Sequence, residues 1–262
     1  LGLVPGMPTL IFLSLGLGSV ALAIWLSKNA DSDVSSALLE SNFASDATDP
    51  LLEELNWDDV EQVDLVGLDI GYGLIPLVNP ETGGQLLPRI KGIRKKLSSE
   101  VGFLIQPIRI RDDLELPPDV YHLVMNGVVR GKGEIRIGKE MAINPGQVHG
   151  SLQGEPTKEP AFGLEALWID ASQRDYARTL GYTVVDSATA IATHLNTLLR
   201  NNAPELLGHD ETQQLLDKVA AKSPKLVEDL VPAKLPLATV TKVLQNILDD
   251  GVSVRDMRTI IE

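Results

Sequence analysis

Residues 1–26 run without a single charged side chain. A helix crosses the hydrocarbon of a bilayer with roughly 20 apolar residues, so this stretch is long enough, and it constrains the chain more than any other. Pro5 and Pro8 stand at its start, where a missing N–H and a fixed φ cost a helix least. Trp25 lies at the far end and Lys28 follows, as interfacial anchors do. A signal peptide would need a basic region in front, and a buried core helix would carry a polar stripe. The expectation is one transmembrane helix over residues 1–27. The chain opens without Met inside this run and closes on Thr259-Ile260-Ile261-Glu262, inside a helix-like pattern, which reads as a fragment of a longer protein.

Residues 28–64 read as an acidic linker. Between residues 29 and 64 there are eleven acids and no base, most of the excess behind a net charge of −13. Such a stretch has too little apolar surface to fold alone. Within it, residues 51–60 combine Leu, Trp57 and acids in a helix-capable segment. An indole is costly to leave in water, so Trp57 docks either on its own domain or on a neighbouring subunit. The overall acidity excludes a nucleic-acid binder, which shows a dominant basic footprint. The chain has no cysteine, which removes disulfides, thiolate nucleophiles and Cys-based metal sites and fits a reducing compartment.

The globular part begins at Leu65. Residues 65–78 alternate like a strand, with Gly71 and Gly73 as bulge positions and Pro76 near an edge. Leu86, Leu87, Ile90, Ile93, Leu97 and Val101 recur at helical spacing. The opposite face of that helix carries Arg89, Lys91, Arg94, Lys95 and Lys96, read as a solvated face, a phosphate or acidic-peptide site, or a seat for the acidic tether. Residues 104–111 alternate again as a strand. Residues 121–129 and 134–137 read as strands with Gly127, Gly131 and Gly133 marking turns. A long loop punctuated by Gly and Pro spans residues 144–163. A strand at 164–169, a helix at 172–180, a strand at 182–185 and a helix capped by Ser187 follow, the last with Ile191, Leu195, Leu198 and Leu199 on one face. Beyond residue 207 only helical patterns remain, with Ser253 expected to cap the final one.

The predicted fold class is α/β (α+β), in several subdomains, preceded by one transmembrane helix and ending in an all-α part. The expected division is a first α/β subdomain from residues 65–137 with 187–206, an inserted second subdomain at 138–186, and a truncated helical third at 207–262.

No strong catalytic signature is present, and an enzyme is not supported. His122, His149, His194 and His209 are scattered without metal-ligand spacing, and no nucleophile elbow or nucleotide fingerprint occurs. Asp112-Asp113 reads as a solvated turn or a weak cation site. His194 reads as a satisfied structural residue, or as a base or pH switch. No cofactor or metal is expected. Phe162, three residues after Glu159, either plugs the local core or belongs to a recognition loop.

Several stretches together carry a resemblance: residues 1–8 before the apolar span, 73–78, 89–96, Ala142-Ile143-Asn144-Pro145-Gly146, Glu159-Pro160-Ala161-Phe162-Gly163, Ala192-Thr193-His194-Leu195, and 254–260. In this order they resemble the flagellar export-gate family, whose relatives are the major export apparatus proteins of type III secretion injectisomes. The resemblance implies a bacterial inner-membrane protein of about eight transmembrane helices, the last being residues 1–27, with the chain cytoplasmic from about residue 28. It implies a nonameric ring of cytoplasmic domains that receives export chaperone–substrate complexes. The ring would work with other export apparatus membrane proteins, the proton motive force and an export ATPase complex. It further implies that Glu159, Phe162 and Thr193 form a chaperone-docking dimple, an aromatic floor with a charged rim. Pro145 matches a loop proline of the family, and Glu54, Trp57 and Asp59 match linker residues that engage the adjacent subunit. Where the family has Asp, Glu159 keeps the charge on a longer arm. The rival readings are the equivalent protein of a virulence injectisome and a membrane-anchored enzyme or small-ligand sensor.

Overall fold

The computed structural model describes residues 63–262. The expected membrane helix, the linker and the linker residues Glu54, Trp57 and Asp59 lie outside the described residues. Among the described residues no helix is long and apolar enough to cross a membrane.

Two four-stranded sheets carry the fold. The first has the order β2-β1-β3-β4, built from β1 (Val66–Ile70), β2 (Arg109–Asp112), β3 (Val120–Met125) and β4 (Val128–Glu134). β1 and β2 are parallel; β1–β3 and β3–β4 are antiparallel. The parallel pair needs a crossover, supplied by helix α2 (Leu86–Val101), which follows the short α1 (Ile75–Val78). Leu86, Ile90, Leu97 and Val101 of α2 are buried, as their spacing predicts. Gly102 at φ +102° closes the helix.

Strand β1 is shorter than the alternation over residues 65–78 suggests. It stops at Ile70, where the Gly71 carbonyl accepts from Leu74 N at 2.9 Å and the chain turns; the turn packs so close to Pro117 that a Cβ at Gly71 would lie 2.1 Å from the Pro117 carbonyl oxygen. The chain there turns into a 3₁₀ segment and α1, with Pro76 in the first turn of α1, where its missing N–H is harmless. Residues 104–108 also stay out of the ladder. The Ile105 N–H donates to Ser98 Oγ at 3.1 Å, and the Ile105 carbonyl accepts from Arg94 Nε at 2.6 Å. Side chains of α2 thus take the backbone groups that a strand would need. Arg94 is therefore not part of a free basic face; Arg89 likewise bonds Asp186 at 2.7 Å.

The hairpin also differs from expectation. The turn is Asn126-Gly127, both at positive φ, the pattern a two-residue hairpin demands. Gly131 and Gly133 are not turns but interior positions of β4, facing Leu123 and Tyr121 across the ladder.

The second sheet has the order β6-β7-β5-β8, antiparallel throughout. Its strands are β5 (Lys139–Ile143), β6 (Glu155–Lys158), β7 (Glu165–Asp170) and β8 (Thr183–Asp186), with α3 (Arg174–Thr179) before β8. β6 lies inside the stretch expected to be loop; a Pro within Glu155-Pro156-Thr157-Lys158 hides an edge strand from pattern reading, and an edge strand tolerates it. Met141, Ala166 and Trp168 of this sheet join the main core, while Ala142, Leu152, Ile169 and Ala177 form a small second one.

Helix α4 (Ser187–Asn201) buries Ile191, Leu195, Leu198 and Leu199 in the main core. Its cap is Asp186 rather than Ser187: Asp186 Oδ1 accepts from Thr189 N at 2.8 Å. Ser187 instead donates to the Arg136 carbonyl at 3.1 Å. The helices α5 (His209–Ala220), α6 (Pro224–Glu228), α7 (Leu237–Asp249) and α8 (Met257–Ile261) complete the described residues. Leu215, Leu216, Val240, Leu244 and Leu248 pack into the same main core as the first sheet. Each such leucine contributes about 2 kcal/mol of hydrophobic stabilisation. The final helix is capped by Asp256, since Ser253 donates to the Val101 carbonyl at 3.1 Å and is occupied there.

Candidate functional site

The loop between β6 and β7 is built around one carboxylate. Glu159 is only 3% exposed. Its Oε1 accepts from Ala161 N at 2.9 Å and its Oε2 from Phe162 N at 2.8 Å. Its backbone closes the loop as well: Glu159 N donates to the Leu164 carbonyl at 2.8 Å, and Gly163 N to the Glu159 carbonyl at 2.9 Å. Gly163 sits at φ +72°, which glycine adopts without strain. A buried carboxylate is tolerated when its oxygens take charge-assisted hydrogen bonds, and here they take the loop's own amides. The consequence is that Phe162 stands outward, 67% exposed, beside the exposed Leu164.

The polarity of this loop is the reverse of an aromatic floor with a charged rim. The acid is interior and the ring is presented to solvent. Phe162 does not plug the local core.

Pro145 lies in the loop after β5. Asn144 N donates to the Glu165 carbonyl at 2.8 Å, and Asn144 Oδ1 accepts from Gly146 N at 2.8 Å. The Pro145 and Phe162 loops therefore leave the same end of the second sheet. At their feet lies a cavity of about 590 Å³ lined by Asn144, Lys158, Glu165, Leu167 and Tyr182 among others. Nothing in the residue pattern singled out this cavity; only the pairing of β5, β6 and β7 assembles it.

Thr193 lies elsewhere. It lines a groove of about 390 Å³ between α2 and α4, with Arg89, Ile93 and Lys96 on one side and Thr189 and Asn196 on the other. Neither Glu159 nor Phe162 lines that groove.

His194, the next residue of α4, points into the interior instead. Its Nδ1 is 2.8 Å from the Tyr121 hydroxyl, with the rings edge to face at 5.8 Å between centroids. Burial pushes the Tyr121 hydroxyl pKa up, and the Glu159 charge adds to that. Burial lowers the His194 pKa, and the Glu159 charge offsets part of the effect. Sequence reasoning missed Tyr121, Gly131 and Gly133 here. The available signal was the pair of glycines two apart on a strand, which marks a face where something large approaches.

Asp112 ends β2, and Asp113 Oδ1 accepts from Glu115 N at 2.8 Å, as in an Asx turn. Among the described residues no group of three His, Cys, Asp or Glu side chains is arranged to hold a metal ion.

Solved structures share this arrangement. The CdsV protein of Chlamydia pneumoniae superposes with a TM-score of 0.65 at 22% identity, over 79% of this chain and 60% of that one. The nonameric EscV cytosolic domain from the type III secretion system gives 0.56 at 18% identity, over 78% and 58%. The described residues are thus a mixed α/β domain with the fold of a type III secretion cytosolic domain. Flagellar biosynthesis protein FlhA of Escherichia coli K12 is 47% identical over 262 residues, all of this chain and 37% of that protein. The chain belongs to the FHIPEP family, whose profile matches residues 1–262. It spans a little over a third of the length of the curated relatives it matches.

Proposed function

We propose that this chain is part of a flagellar type III export-gate protein of the bacterial inner membrane. It acts without catalysing a reaction, as a cytoplasmic platform that docks export chaperone–substrate complexes and passes substrates to the channel. The observation that carries the reading is the Phe162 ring, held out in water by a loop locked on a buried carboxylate. A rigid exposed aromatic is a suitable anchor for a partner's apolar side chain. The Pro145 loop and the adjoining cavity extend the surface, and Thr193 marks a second contact along the groove between α2 and α4.

Residues 1–27 serve as the last membrane helix, and Glu54, Trp57 and Asp59 engage the adjacent subunit. The second sheet, within residues 138–186, works as an inserted subdomain that carries the docking loop. Assembly into a nonameric ring, beside other export apparatus proteins and the export ATPase complex, is supported by the fold shared with a nonameric secretion domain.

The test is a pull-down of a flagellar export chaperone loaded with its late substrate. The wild-type chain should retain the complex, and a folded Phe162→Ala chain should not. Equal retention by both sinks the docking role. For the linker, Trp57→Ala should weaken ring assembly while leaving the fold intact; unchanged assembly removes that part of the reading.

A further inference from the structure

Two concavities meet at the end of α2 and share Ser98, Ser99, Gly102 and Lys218 in their walls. One, of about 540 Å³, continues between α5 and α8; the other, of about 340 Å³, runs beside α2 to Leu104. Their junction is held by hydrogen bonds. The Val101 carbonyl accepts from Val254 N at 2.9 Å and from Ser253 Oγ at 3.1 Å. Gly102 allows the close approach, since a Cβ there would fall 2.4 Å from Arg255 N. Arg255 is thereby fixed against the end of α2.

Five exposed cations open onto this joint groove: Lys91 and Lys95 of α2, Lys218 and Lys222 at the end of α5, and Arg255. Among the described residues none of the five forms an ion pair. Asp256 is the one carboxylate in the groove walls, and both its oxygens bond Thr259. Glu100 and Glu262, close by in sequence, are paired with Lys96, Arg200 and Arg258. A helix C-terminus favours cations, which accounts for Lys218 and Lys222. It does not account for Lys91 and Lys95 in mid-helix, nor for Arg255 outside a helix. Leu104 stands at the rim, 57% exposed. An exposed leucine alone is ordinary. Beside five unpaired cations it gives the combination that an anionic bilayer takes up: headgroup phosphates accept from the cations, and the apolar side chain enters the acyl boundary.

We propose that this groove docks the domain on an anionic membrane surface, with lipid phosphates between α2, α5 and Arg255 and with Leu104 in the interfacial layer. Residues 28–62, fully extended, reach at most roughly 120 Å, so a domain tethered through them stays within range of the bilayer. Each cation brought to such a surface strengthens attachment about fivefold, and five together outweigh the loss of freedom on docking. This inference rests on the reading of residues 1–27 as a membrane helix.

The chain has no cysteine, so Leu104→Cys takes a single fluorescent dye. The labelled full chain is reconstituted in phosphatidylcholine vesicles with and without phosphatidylglycerol, both carrying a lipid with a spin-labelled acyl chain as quencher. The dye should be quenched about threefold more with phosphatidylglycerol than without it. The difference should vanish in about 1 M salt, where charges are screened beyond about 3 Å, and when Lys91→Gln, Lys95→Gln, Lys218→Gln and Lys222→Gln are combined. These side chains are exposed, so the combined variant should fold. A dye on Leu114→Cys, an exposed site past the other end of β2, should show no such difference. Equal quenching in the two lipids, or a difference that survives salt or the four substitutions, overturns the proposal. So does a dye unquenched in both, the result expected if the acidic segment of this chain or a second copy fills the groove. If the chain does not float with phosphatidylcholine vesicles, the membrane-helix reading fails. The groove is then judged on phosphatidylglycerol vesicles alone: the wild type should float with them and the combined variant should not, and a wild type that stays behind overturns the proposal.

Discussion

The Tyr121 hydroxyl and His194 Nδ1 meet at 2.8 Å, tying strand β3 to helix α4 across a strand stripped of side chains at Gly131 and Gly133. In a close-packed interior, an added methyl must displace something. Gly131→Ala and Gly133→Ala should each cost about 1–3 kcal/mol of stability, read as a lower urea midpoint. Gly92 is the control. It is exposed in α2, and a Cβ added there would meet nothing within 4 Å, so Gly92→Ala should instead gain about 1 kcal/mol.

Stability and docking should separate at the β6–β7 loop. Phe162 is mostly exposed, so Phe162→Ala should change stability by no more than about 0.5 kcal/mol while abolishing chaperone retention. Glu159→Gln keeps the shape but removes the charge from two short hydrogen bonds. It should cost roughly 1–3 kcal/mol and raise amide exchange at Ala161 and Phe162. Exchange rates equal to wild type would refute the role of the carboxylate as the loop's brace.

The two buried rings set opposite pH limits. Burial lowers the folded-state pKa of His194, so the unfolded chain takes up this proton more readily. The stability it contributes is complete above the unfolded value of about 6.5 and is lost as pH falls below it. Burial raises the pKa of Tyr121; its contribution is complete below about pH 10 and is lost as pH rises further. Urea midpoints measured across pH should show the acid-side slope shrink in His194→Gln and the alkaline-side slope shrink in Tyr121→Phe.

Asp186 caps α4 and also bonds Arg89. Asp186→Ala should lose about 1–2 kcal/mol. Asp186→Asn retains an oxygen for the Thr189 amide and should lose less. Thermal melts of the two variants decide this, and equal losses would assign the effect to the ion pair rather than the cap.

Much of the framework was legible in the residues. The helical spacing of Leu86 to Val101 and of Ile191 to Leu199 appears as two buried faces, because periodicity alone decides which side of a helix can face a core. Pattern failed where backbone groups were claimed by distant partners. Residues 104–108 alternate like a strand, yet Ser98 and Arg94 hold Ile105. Gly131 and Gly133 looked like turns, yet their bareness answers to two rings, one from β3 and one from α4.

The same division runs through the site. The sequence alone determined that an aromatic and a carboxylate share one Gly- and Pro-bounded loop, that no cysteine chemistry is available, and that helices alone follow residue 207. Only the tertiary structure decided which of Glu159 and Phe162 turns inward. Three residues apart, either could be buried. The outcome hangs on the loop amides that satisfy the carboxylate, and on a second sheet whose pairing closes the loop at its base. Those partners are set by strand register, which no local pattern specifies.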